Sequence, residues 1–131
     1  MRFMMFIIPN IAAEQWTPPP EAVVAMERYN RELERAGVLL HREGMHPLEK
    51  GARVSFPGGK ASMTDGPDCE PKEVIGGFWM IDVASKAEAV EWASRCPIGA
   101  EGPQIEIRQI FERADFPPEL QEALARAQAE G

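Results

Sequence analysis

A chain of 131 residues with 44% apolar and 27% charged side chains has the composition of one soluble domain. It is long enough to bury about two thirds of the surface its unfolded form exposes, so its core requires no metal or disulfide staple. A net charge of −7 opposes nucleic-acid phosphates and anionic membranes, which both attract basic surfaces, and neither is expected as a partner.

The first element is Arg2 to Ile8, a strand apolar on both parities and therefore suited to cover on both faces. Its apolar run, Phe3 to Ile8, is too short for a bilayer span or a secretory signal, and the chain is read as cytoplasmic. Thr17-Pro-Pro-Pro20 forces an extended approach, because a residue before proline is pushed out of the helical region, and the last proline opens a helix. Along that helix Ala22, Met26, Tyr29, Leu33 and Ala36 draw one buried stripe, which ends at Gly37. Val38 to Glu43 is the second strand, broken by Gly44 and Pro47.

Ala52 to Phe56 and Lys60 to Thr64 flank Pro57-Gly58-Gly59 as a small hairpin. Gly76 to Val83 is another strand with two apolar faces, carrying Trp79, Ile81 and Val83 on one and Phe78 and Met80 on the other. Ser85 and Glu88 form a capping box that starts a second helix, whose buried stripe is Ala89, Trp92, Ala93 and Cys96, with Pro97 as its stop. Gln104 to Phe111 alternates as the last strand. A C-terminal helix over residues 117–129 carries Leu120, Ala123, Leu124 and Ala127 on one side.

Without the hairpin and the final helix, this order is the split β-α-β arrangement of a ferredoxin-like α+β sandwich. Two helices cover one face of such a sheet, and the strands that are apolar on both parities demand cover for the other. A second copy of the chain is the economical source, so a homodimer packed sheet to sheet is expected. One domain over residues 1–131 is expected, with its core in 1–111.

Thr64-Asp-Gly-Pro67, Glu70, Lys72-Glu73, Gly76-Gly77-Phe78, Ala89, Glu91-Trp-Ala93, Cys96-Pro97 and Glu106-Ile-Arg108 together resemble the YCII-related family in its DGPF-domain branch. The resemblance runs from the first strand to about Phe111. It implies a dimeric α+β barrel of ferredoxin-like halves, and activities that range from a lyase-like enzyme to a small-ligand or regulatory module. Two departures stand out. Asp68 replaces the phenylalanine after Asp-Gly-Pro, and Met26 and Cys96 stand where the related branch carries a histidine and an aspartate.

Asp65 has two readings: a turn-fixing aspartate, or a site carboxylate. Asp65, Asp68, Glu70 and Glu73 crowd together, which raises the pKa of a carboxyl and makes a general acid, while Lys72 opposes that shift; a solvated charged loop is the plain alternative. His41, Glu43 and His46 have metal-ligand chemistry, but no second cluster accompanies them and no metal site is assigned. Cys69 and Cys96 lack disulfide or zinc spacing and are read as reduced thiols.

The expectation is a protein that binds an unknown small organic molecule beside the 65–73 loop, with acid–base lyase or isomerase chemistry. Asp65 and Glu73 are its candidate catalytic carboxylates, Tyr29, His41, Lys72 and Trp79 its candidate ligand contacts, and no cofactor is called for. The alternative is a non-enzymatic regulatory or protein-interaction module that acts as a homodimer.

Overall fold

The computed structural model describes residues 1–99 and 101–130. The strands are β1 (Arg2–Ile8), β2 (Leu39–Gly44), β3 (Ala52–Ser55), β4 (Ser62–Asp65), β5 (Gly77–Asp82) and β6 (Gln104–Gln109). The helices are α1 (Pro20–Arg35), α2 (Lys86–Ser94) and α3 (Pro118–Glu130). β2, β5, β1 and β6 lie side by side in that order in one antiparallel sheet, an α+β arrangement compatible with a ferredoxin-like fold. The two strands that are apolar on both parities, β1 and β5, are the central ones.

One face of the sheet carries Phe3, Met5, Trp79 and Ile81, all buried against Tyr29 and Leu33 of α1 and Ala89 and Trp92 of α2. The other face carries Met4, Phe6, Phe78 and Met80, all partly exposed. α1 stops where its sequence says it should. Gly37 adopts φ +73°, the Val38 amide donates to the Leu33 carbonyl at 3.2 Å, and the Gly37 amide donates to the Glu34 carbonyl at 3.0 Å. This double closure satisfies carbonyls that the helix end would otherwise strand.

At α2 the Ser85 Oγ accepts from the Glu88 amide at 3.2 Å. The Glu88 carboxylate reaches back one residue further than a capping box predicts, to the Ala84 amide at 2.9 Å. The hairpin also differs in detail. Its strands pair Ala52 with Asp65 and Ser55 with Ser62, so residues 56–61 form the connection, with a 3₁₀ turn at Pro57–Gly59. The connection is thus six residues long where three were expected, and Gly58 and Gly59 take positive φ within it, +62° and +83°.

Candidate functional site

A cleft of about 810 Å3 opens between α1, the outer end of β2, the start of β5 and the segment of residues 9–19. Its size suits a small organic ligand. Most of the wall is apolar, including Ile11, Trp16, Val23, Met26, Met45 and Ile98. The 9–19 segment is seated by two features. The Trp16 indole donates to the Met45 carbonyl at 2.7 Å, and Gly76 leaves room beneath it. A Cβ at position 76 would stand 3.0 Å from the Pro9 ring and 3.4 Å from that of Trp16.

The floor of the cleft is polar and ordered. Trp79 Nε1 donates to Asn30 Oδ1 at 2.7 Å, which fixes the orientation of the amide. Asn30 is 4% exposed, and its Nδ2 points to Glu27 Oε1 at 3.4 Å, a long contact that leaves this donor weakly used. Glu27 Oε1 in turn meets the Arg42 guanidinium at 3.0 Å. Helical spacing places Glu27 and Asn30 one turn apart on α1, and Arg42 pairs with Trp79 in the sheet register, so four residues from three elements converge on one point. A carboxylate beside a buried amide donor, held by a cation, can accept a proton at one atom of a ligand while the amide supports charge at the next.

Met26 and His46, of the residues singled out from the sequence, line this cleft, as does Trp79. Tyr29 packs edge-on against it, with ring centroids 5.7 Å apart, but directs its hydroxyl to the Trp92 carbonyl at 2.7 Å. Burial, and then the neighbouring Cys96 thiol, push the Tyr29 phenol well above its ordinary range. Burial pushes the Cys96 thiol itself up to about 12. Both groups are therefore protonated core residues at neutral pH.

His41 lies on the opposite face of the sheet, 3.2 Å from Glu43 and against Phe78, whereas His46 lines the cleft. β2 ends at Gly44, and the chain beyond it carries His46 away from His41. Among the described residues, no three His, Cys, Asp or Glu side chains are grouped to hold a metal ion. Asp65 closes β4 and is exposed, Glu73 and Lys72 sit in an exposed 3₁₀ turn, and Lys72 pairs with Glu70 at 3.2 Å. The loop between them contributes Gly66, Pro67, Asp68 and Cys69 to a second depression of about 420 Å3, which shares Trp16 with the larger cleft as a common wall. The Cys69 sulfur there accepts from Arg53 at 2.9 Å.

Glu27, Asn30, Arg42 and Trp16 were not singled out by sequence reasoning. One signal was available. Asn30 follows Met26 by four residues and precedes Leu33 by three, so a polar amide stands within an apolar stripe.

The sequence model of one protein family, described as the YCII-related domain, matches residues 1–114. None of the curated proteins matches the chain.

Proposed function

The chain belongs to the YCII-related family, and on that premise we propose that it binds a small, largely apolar organic molecule in the cleft between α1 and β2 and moves a proton on it. The observation that carries this reading is the floor of the cleft, where the Glu27 carboxylate is held by Arg42 beside the buried Asn30 amide. In an acid–base isomerase or lyase, Glu27 would take a proton from a carbon next to a carbonyl. The electron pair left behind moves onto the carbonyl oxygen, where the Asn30 N–H stabilises the negative charge, while Arg42 holds Glu27 in place. Return of the proton at another carbon completes an isomerisation, and loss of a leaving group completes an elimination. Within the family we place the chain with the DGPF-domain branch, on its Thr64-Asp-Gly-Pro67 block.

Thermal melting against a panel of phenols, quinones, keto acids and divalent metals tests the reading, because a ligand that binds the native state alone raises the melting temperature. At least one organic compound is expected to raise it by several degrees in the native chain and not in Glu27→Gln. A panel that shifts nothing removes the proposal. Asp65→Asn losing the response while Glu27→Gln keeps it would move the chemistry to the 65–73 loop.

A second reading, pairing of the chain with itself, is favoured by the uncovered sheet face. Across the register this face reads His41, Met80, Met4, Arg108 in one row and Glu43, Phe78, Phe6, Glu106 in the next. One apolar centre is thus flanked by His41 beside Glu43 on one side and by Arg108 beside Glu106 on the other. A two-fold axis lying in the interface and perpendicular to the strands would set each row over its opposite on a second copy.

A further inference from the structure

Resting on the proposed cleft site, we infer that its ligand is a neutral aromatic amide or lactam, recognised along the edge where a C=O and an N–H lie side by side. Three observations converge on this chemistry. First, the Asn30 amide is fixed by the Trp79 indole, so the atom offered to the cleft is a nitrogen donor and not the oxygen. Second, the adjacent group is the Glu27 carboxylate, an acceptor, 3.4 Å from that donor. A donor and an acceptor at this separation match the acceptor and donor of one amide edge, and a bare ketone satisfies half of the pair. Third, the cleft is not built for anions. Glu27 lines it against Arg42, and Arg42 is already engaged by Glu27 at 3.0 Å. With −7 on the whole chain and Arg42 held by Glu27, a carboxylate ligand brings a charge that the floor does not balance.

The wall supplies the aromatic half of the argument. Trp16 and Met45 stand at the mouth, joined by the indole hydrogen bond, and Met26 and Val23 follow along α1. Flat ring systems pack well on indole faces and thioethers. A two-ring body lies within the cleft volume of about 810 Å3.

Titration calorimetry with 2-naphthamide, 2-acetylnaphthalene and 2-naphthoate tests the inference, because the three share a ring body and differ at the edge. 2-Naphthamide is expected to bind roughly tenfold or more tighter than 2-acetylnaphthalene, the value of one well-placed hydrogen bond to a charged group, and 2-naphthoate is expected to bind weakest. In Glu27→Met, whose replaced side chain is partly exposed and whose fold is therefore retained, the preference for the amide is expected to vanish. If 2-acetylnaphthalene or 2-naphthoate binds as tightly as 2-naphthamide, the edge inference is overturned while the cleft stands. If none of the three binds at millimolar concentration, the cleft reading fails and the inference goes with it.

Discussion

Cys96 illustrates how one side chain ties stability to pH. Its thiol is buried against the first helix and its value rises from 9.0 to about 12 in the folded chain. A folded-state value above the unfolded one means that the native state holds the proton more firmly. That contribution is complete below about pH 9 and is lost as the pH climbs toward 12. Between pH 9 and 10 Cys96 should lower stability by about 1 kcal/mol per pH unit, and Cys96→Ala should remove most of the slope, the raised Tyr29 phenol supplying the rest. Urea denaturation at several pH values checks this, and an equally steep slope in the variant would assign it elsewhere. At neutral pH the same burial keeps Cys96 inert, whereas the more accessible Cys69 lies open to alkylation.

At the scale of elements, the junction of β2 and β5 is the tightest contact near the cleft. A Cβ at Gly77 would stand 2.9 Å from the Glu43 carbonyl, a backbone atom on the edge strand that carries Arg42. Gly77→Ala should therefore push β2 outward, costing about 1–3 kcal/mol in a denaturant titration and displacing Arg42 from Glu27. A variant as stable as the parent would show that the edge strand yields freely. The long elements were legible in the sequence for a simple reason: each buries a continuous stripe. β1 spans Arg2–Ile8 as the apolar run requires, and α1 runs from the last proline to the turn before Gly37. The hairpin and the cleft were less legible. Every residue of β3 and β4 is exposed, so no burial pattern sets their register there. The cleft depends on side chains brought together from α1, β2 and β5, and only Trp79 among them carries a signal strong enough to be picked out alone. The Asp-Gly-Pro block dominated the sequence because its residues are unusual locally, yet it frames the smaller depression and not the larger one.

For the whole molecule, the partly exposed sheet face is where the proposed pairing of two copies is tested. Met4, Phe6, Phe78 and Met80 form an apolar centre that water does not favour, and each row ends in groups that complement those of the other, His41 and Arg108 against Glu43 and Glu106. Sedimentation at micromolar concentration should give twice the mass of the chain. Raising the salt should weaken the association by screening the rows while leaving the apolar centre in force. Arg108→Glu, which makes both members of one rim pair acidic, should shift the equilibrium toward the single chain. A single-chain mass at every concentration up to about 100 micromolar, weaker than the micromolar range of specific interfaces, would discard the pairing.

The sharing of Trp16 between the two depressions equips the protein with its own spectroscopic reporter. Of its three tryptophans, Trp16 stands at the mouth of the cleft, Trp79 at the floor, and Trp92 on α2, outside the cleft lining, with Arg95 stacked on its ring at 4.3 Å. An occupant of the cleft touches the first two indoles and leaves the third in its native surroundings. Emission will therefore divide into a fraction quenched on filling and a fraction that holds constant. The constant part serves as an internal reference for the intactness of the core while the rest records what enters.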